Sequence, residues 1–422
     1  MIQPIENKYT VFVLVLLILS SGIIFYPSYA SLTSTQSLRA LGTVVYTYSA
    51  QTLHVDGPYI KDDQGNLFYL KGTNKYGFEN YPGGGFWGST YLQYWEHWNT
   101  SEGRAAVTQV LDAMKTWGIN VVRLPQAIDH WKFNLDNHRQ IIKELLQMMN
   151  DRGMYMIYAA FRVTGSDAGS IGSNLPYPPY ETEGTSVIAN EQDFVDYWVS
   201  IASELKDYPN VMFELWNEPS SGVWDEFLTG SAFTSWKAVT QMCITAMRNV
   251  GAEQLIISQW WPGVCTNLSI DPNISHTRGL EWVPLMNLDD PLNNLVYSTH
   301  MYRYWGAFFH QPGGIETKTL AWTRIDILEA FDRFGLEDVA TAYPLLIGEI
   351  GCNQEAEDLE HELIAFETCL SIFNENGYHY CTWWWMSEDE AGGIFREHLG
   401  EASGFAPNEA GNILIEALAY TP

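Results

Sequence analysis

Eight short apolar runs, each bounded by turn residues and separated by stretches of helical periodicity, constrain this chain more than any other feature. They are NLFYLKG (66–72), INVVRL (119–124), MYMIYAA (154–160), VMFELW (211–216), QLIIS (254–258), LVYST (295–299), PLLIG (344–348) and YHYCTW (378–383). Near-continuous apolar strands suit a parallel sheet, because helices cover one face and the other packs inward. Eight such units in series predict an α/β fold, a single (β/α)8 barrel of the TIM type, rather than two doubly wound domains.

The helices between the runs are legible in places. Val107, Val110, Leu111 and Met114 form an apolar stripe with Gly118 at its end, and Phe194, Trp198, Ile201 and Leu205 form another, closed by Pro209. A third runs from Glu357 to Asn376 and stops at Gly377, whereas 259–294 shows no helical period. Ahead of the barrel, residues 53–72 read as an N-terminal β-hairpin around Asp62, Asp63, Gln64, Gly65 and Asn66, its second arm entering the first barrel strand. Two long connections, Asn74 to Ser101 and Arg162 to Asn190, follow strands and therefore belong to the C-terminal mouth. Trp87, Trp95, Trp98, Tyr177 and Tyr180 make them candidates for binding loops.

Residues 1–30 have the form of a signal peptide: Lys8, an apolar run from Thr10 to Tyr26, then Ser28-Tyr29-Ala30. The run approaches the ~20 residues that span a bilayer, so an N-terminal anchor is the alternative. A polar segment, 31–52, and a catalytic domain, 53–422, complete the expected organisation, and the protein is expected to be secreted. No later segment reads as an integral membrane domain. Lys and Arg number 22 against 50 Asp and Glu, a net charge of −28. Such a field repels nucleic acid, anionic membranes and acidic polysaccharides, which leaves a neutral partner. Cys243, Cys265, Cys352, Cys369 and Cys381 contain no C-x-x-C pair, so a zinc site is not expected. Cys243 falls on an apolar helical stripe with Val239, Ala246 and Val250 and reads as a buried thiol, while one disulfide among the others stays open.

The sharpest motif is Asn217-Glu218-Pro219, at the end of the fourth run. Glu349 ends the seventh, with Gly348 and Gly351 leaving little bulk beside it. Carboxylates at the C-terminal ends of barrel strands occupy the mouth where such enzymes keep their chemistry. A pair facing each other there has the composition that glycoside cleavage by double displacement requires, one protonated to assist the leaving group and one ionised to attack carbon.

These residues resemble glycoside hydrolase family 5, within the clan of barrel glycosidases that carry Asn-Glu on strand four and Glu on strand seven; the resemblance runs from about Leu53 to the C-terminus. It implies that Glu218 is the acid/base and Glu349 the nucleophile. It also implies that Arg123, in NVVRLP, keeps the nucleophile ionised, and that His300 and Tyr302, in His300-Met301-Tyr302, belong to the site with Asn217. On strand eight it implies a sugar-facing tryptophan, matched by Trp383. Side-chain alternation would turn Trp385 the same way and Trp384 the other. Trp260, Trp261 and Trp305, near strand ends, extend the expected aromatic platform. One position departs from the family: its usual third-strand histidine is replaced by Phe161, followed by Arg162, which brings mannanase-like members into view.

The expected activity is that of a retaining endo-β-1,4-glycanase on a neutral β-linked polysaccharide, endoglucanase first and β-mannanase second. From a different class, the alternative is a non-catalytic polysaccharide-binding barrel. There is no G-x-S-x-G, no phosphate-binding G-x-x-x-x-G-K-[ST] and no H-E-x-x-H. No metal and no organic cofactor is expected. Asn99, Asn267 and Asn273 open glycosylation sequons.

Overall fold

A computed structural model describes residues 50–75, 100–162, 188–219, 231–260, 280, 282–301, 323–352, 359–385, 394 and 405–421, all within the compact unit Tyr46–Pro422. The expected signal segment, most of both long loops, Cys265, Tyr302, Trp261, Trp305 and the three sequon asparagines except for their flanks lie outside these residues. Among the described residues no helix is long and apolar enough to cross a membrane.

Two short strands, β1 (His54–Asp56) and β2 (Tyr59–Lys61), pair antiparallel. Their turn is Asp56-Gly57-Pro58, with Gly57 at φ 61°, so the hairpin lies one turn earlier than the sequence reading placed it. The Asp62–Asn66 turn is real but secondary. Asp62 accepts from the amides of Gln64 and Asn66 and brings Leu67 back to a single bridge with Lys61. Barrel strand one starts only at Lys71.

Eight parallel strands close the barrel: β3 (Lys71–Asn74), β4 (Val121–Ala127), β5 (Tyr155–Arg162), β6 (Val211–Glu214), β7 (Ile256–Gln259), β8 (Leu295–Met301), β9 (Leu345–Gly351) and β10 (His379–Trp383), with β10 pairing both β9 and β3. Seven of the eight apolar runs lie mostly in strands, whereas the first contributes only Lys71 and Gly72 to β3. Helix α1 (Ser101–Trp117) starts on Thr100, whose hydroxyl accepts from the Gly103 amide, and stops at Gly118, φ 97°. Before β5 come α2 (Ile128–Phe133) and α3 (His138–Asn150), and after it α4 (Glu191–Leu205) and α5 (Ser231–Asn249). In the stretch without helical period the described residues include the five-residue α6 (Trp282–Met286). Helices α7 (Arg324–Phe334), α8 (Leu336–Ala340), α9 (Leu359–Asn376) and a further α10 (Glu409–Ala419), which the sequence reading did not resolve, complete the outer layer. All four described cysteines are buried, and Cys243, Cys369 and Cys381 are free thiols.

Alternation along the strands divides the core in two. Val122, Leu124, Met156, Tyr158, Phe213, Ile347 and Tyr380 face the helices. Val121, Ile157, Met212, Ile257, Val296, Leu346 and Cys381 fill the lower barrel interior, plugged from beneath by Leu53 and Ile60 of the hairpin region. Above this dry layer the interior turns polar, and the site stands on it.

At the opposite end of the barrel, Arg248 grips Asp290 through two bonds of 2.8 and 2.9 Å, both side chains almost wholly buried. Burial works against the Asp290 carboxylate, but Arg248 and the amides of Asn294 and Leu292 hold its pKa below the ordinary value. A depressed folded-state pKa contributes stability that is present above about pH 4 and lost as pH falls through the folded value. Asp290→Ala leaves a buried guanidinium without its partner, so it should cost ~3–5 kcal/mol in urea unfolding at pH 7 and blunt the loss of stability below about pH 4.

Candidate active site

Arg123, on β4, has no exposed surface and lies at the centre of the polar layer. Its Nε and Nη2 donate to the two oxygens of Glu214 at 2.6 and 2.9 Å. Nη1 donates to Glu349 Oε1 at 2.8 Å and Asn74 Oδ1 at 2.9 Å, and Nη2 also reaches Asn217 Oδ1 at 2.7 Å. Burial opposes a charge there, but Glu214 and then Glu349 more than compensate and raise its pKa, so it is a permanent cation.

Glu349 owes its direction to an irregularity in β9. Residues 299 and 300 of β8 pair with 347 and 349, so Gly348 is an extra residue. Strict alternation from Leu346, which faces inward, would turn Glu349 toward the helices; the bulge turns it into the mouth. Only glycine fits. A β-carbon at position 348 would stand 2.7 Å from Ser298 Oγ and 3.0 Å from His300 Nε2. Asn74 secures the bulge by donating from Nδ2 to the Gly348 carbonyl at 2.9 Å and to that of Thr382 at 3.2 Å.

Glu218 projects from the turn after β6 with φ 50°, a left-handed conformation uncommon for a residue with a β-carbon. The Asn217 amide donates to the Ala160 carbonyl on β5 at 2.8 Å, and the Glu218 amide donates to Gln259 Oε1 on β7 at 2.8 Å. Glu218 Oε1 lies 2.7 Å from His300 Nδ1, which is also 3.4 Å from Glu349 Oε2. Burial first, and its close neighbour Arg123 second, keep the pKa of His300 well below the ordinary value. The ring is thus neutral, and facing two carboxyls it presents Nδ1 as the N–H. Burial, then the charge of Glu349, push the Glu218 carboxyl well above the usual carboxylate range, against the pull of Arg123, and Glu214 adds to the rise.

One oxygen of each of Glu218 and Glu349 and a ring nitrogen of His300 lie within 4.8 Å of one another. Among the described residues this is the one group of three such side chains near enough to share a metal ion. The Arg123 cation beside Glu349 opposes a metal there.

The aromatic expectations divide. Trp383, partly exposed, ends β10 at the mouth with its ring stacked on Trp384 at 5.0 Å. Trp384 packs with Trp383 and Phe161, the residue at the family's histidine position. Trp385 is not a sugar platform: it is 1% exposed, its ring meets Trp117 at 4.7 Å and Phe405 at 5.7 Å, and its amide donates to the Asn74 carbonyl. Alternation fails as a guide because β10 ends at Trp383. Trp260 is also fully buried, against Phe233. It follows the inward-facing Gln259 and so faces the helices. Asn74, Glu214 and Gln259 were missed by sequence reasoning, although an acid inside the apolar run VMFELW was a visible signal.

Comparison with known proteins places this geometry among relatives. The family described as cellulase, glycosyl hydrolase family 5, matches residues 80–389. The chain is 24% identical over 373 residues to a major extracellular endoglucanase of Xanthomonas campestris pv. campestris, a match covering 80% of this chain and 66% of that one. It is 22% identical over 370 residues to endoglucanase A of Butyrivibrio fibrisolvens, covering 85% of this chain and 65% of the relative. The chain thus spans a little less than two thirds of these relatives. A β-glucanase from Saccharophagus degradans, solved in complex with cellotetraose, superposes with a TM-score of 0.59 at 16% identity, over 90% of this chain and 97% of that one.

If Gly348 is what allows Glu349 and His300 to share the mouth, Gly348→Ala should lower kcat/KM by roughly 10- to 100-fold through displacement of these side chains. Ser298→Ala in the same chain removes the nearest clash and should restore part of the activity, as steady-state kinetics would show.

Proposed function

We propose that this chain, which belongs to the cellulase family, glycosyl hydrolase family 5, cleaves β-1,4-glucan chains internally with net retention of anomeric configuration. It is a glycoside hydrolase, which sets aside a barrel that only binds polysaccharide. The observation that carries the mechanistic reading is the separation of the carboxyls, with oxygens of Glu218 and Glu349 within 4.8 Å of one another. Retaining enzymes hold the pair ~5–5.5 Å apart, whereas inverting enzymes need ~6.5–9.5 Å to seat a water between carboxylate and sugar.

In this scheme Glu349 attacks the anomeric carbon. Arg123 keeps it ionised, since protonating it would leave the guanidinium with one carboxylate fewer. Glu218, protonated because burial and Glu349 raise its pKa, gives its proton to the departing oxygen. Once Glu349 is esterified its charge is gone and the Glu218 pKa falls, so the same group can accept a proton from water in the second step. The neutral His300 donates from Nδ1 to Glu218 and leaves the other carboxyl oxygen to carry the proton. Trp383 offers an aromatic face to a pyranose at the mouth.

A glucan substrate is supported by the endoglucanase names of the relatives and the cellotetraose held by the structural neighbour. Phe161, in place of the family's histidine, favours β-mannan as the second substrate. The acidic chain suits an uncharged polymer, and the N-terminal apolar run supports export to where such polymers are met.

Reducing-sugar release from cellulose, mannan, xylan and mixed-linkage glucan should be greatest on a glucan, and a higher rate on mannan would reverse the order of substrates. Glu349→Ala should lose at least ~10⁴-fold in kcat on every substrate. Glu218→Ala should keep turnover of aryl glycosides whose leaving group needs no proton, and azide should raise it by forming a β-glycosyl azide. Swapped phenotypes would reverse the two roles.

A further inference from the structure

We infer that Gln259 is a positioning residue for the acid/base glutamate: its side-chain carbonyl stands in for a strand partner and holds Glu218 in the left-handed turn from which its carboxyl meets His300. The inference rests on the acid/base reading of Glu218 and names what keeps that group aimed.

Beyond the end of β6 the backbone is still held from both sides. The Leu215 amide donates to the Ile257 carbonyl on β7 at 3.1 Å, and the Asn217 amide donates to Ala160 on β5 at 2.8 Å. At Glu218 the chain turns to φ 50° and leaves the path on which a neighbouring strand could offer a carbonyl. Pro219 follows and has no N–H, so the Glu218 amide is the last donor of the turn. This part-buried amide finds its acceptor in Gln259 Oε1, at 2.8 Å.

Gln259 is itself fixed. It has no exposed surface, its backbone lies in β7 opposite Ser298 of β8, and its carbonyl accepts from the Trp236 indole on α5 at 2.8 Å. Its Nε2 is buried and has no hydrogen-bond partner among the described residues. Among the described residues the orientation of the amide is therefore set by the Glu218 N–H, which requires the oxygen. For packing alone a methionine would fill this volume without stranding a buried donor. The amide's hydrogen bond goes to the residue that must transfer a proton.

Without that acceptor the Glu218 amide is left part-buried and unpaired, the turn relaxes from φ 50°, and the carboxyl leaves His300 and the glycosidic oxygen. Proton transfer fails with small displacements, so the loss should scale with how much a leaving group needs the proton. Gln259→Met removes the acceptor at similar volume. Gln259→Asn keeps the amide but withdraws its oxygen by about 1.5 Å, one carbon–carbon bond. Both should lower kcat on phenyl cellobioside at least ~10-fold while changing kcat on dinitrophenyl cellobioside by less than ~3-fold. Gln259→Glu restores an acceptor oxygen and should recover most of the phenyl cellobioside activity. The Met variant loses the stranded Nε2 but leaves the Glu218 amide without its acceptor, so the two effects offset and it should melt close to the parent.

An equal loss on both substrates in the Met and Asn variants, no loss on either, or failure of the Glu variant to recover would overturn the inference. Glu218→Ala in parallel separates the two claims. If it shows the leaving-group dependence and the Gln259 variants do not, only the positioning role falls; if it lacks the dependence, the acid/base assignment falls first.

Discussion

One buried guanidinium organises the mouth of this barrel. Arg123 donates to Glu214, Glu349, Asn74 and Asn217, residues from β3, the β6 segment and β9, and so ties together strands that are not all neighbours in the closed sheet. A cation with no access to solvent persists only when its donors are met, and here carboxylate and amide oxygens meet them at 2.6–2.9 Å. The charge count has a chemical consequence. One cation is shared between the carboxyl groups of Glu214 and Glu349, so a further carboxyl beside them gains little from it. Burial first, and the charge of Glu349 second, push up the carboxyl of Glu218, which lies outside the Arg123 fork.

The geometry that places Glu218 and Glu349 together depends on two departures from regular backbone. Gly348 adds a residue to β9 and brings Glu349 inward out of phase with its strand. Glu218 takes a left-handed conformation after β6, with its amide bonded to a side chain of the next strand. Both sit directly above the apolar layer of Val121, Ile157, Ile257, Val296 and Leu346, which keeps the strands in register beneath them. Regular packing below supports irregular backbone above, and the irregular backbone aims the carboxyls.

This division explains what was legible in the sequence. Seven of the strands could be read because both of their faces are buried, which makes each an apolar run; β3, Lys-Gly-Thr-Asn, was reached only through the apolar residues just before it. Asn217-Glu218-Pro219 and Glu349 could be read because acids at the ends of such runs have few structural uses. Asn74 and Gln259 could not: each is one polar residue at a strand end, and its role depends on which neighbour closure of the barrel brings to it. The tryptophan readings failed for a related reason. Period-2 alternation holds only inside a strand, and Trp385 lies beyond the last paired residue, where its ring turns to Trp117. The hairpin was placed one turn late because the Asx turn at Asp62 and the Asp-Gly turn at Asp56 both read as reversals, and only pairing distinguishes them.

The central claim is that Glu349, held ionised by Arg123, forms a covalent bond to the sugar. Incubation with a dinitrophenyl 2-deoxy-2-fluorocellobioside slows breakdown of such an intermediate, so digestion with pepsin and mass spectrometry can locate the attached sugar. The account predicts one fluorocellobiosyl group per chain, on the peptide containing Glu349. A label on Glu218, or no label together with an inverted first-formed anomer by NMR, would contradict it.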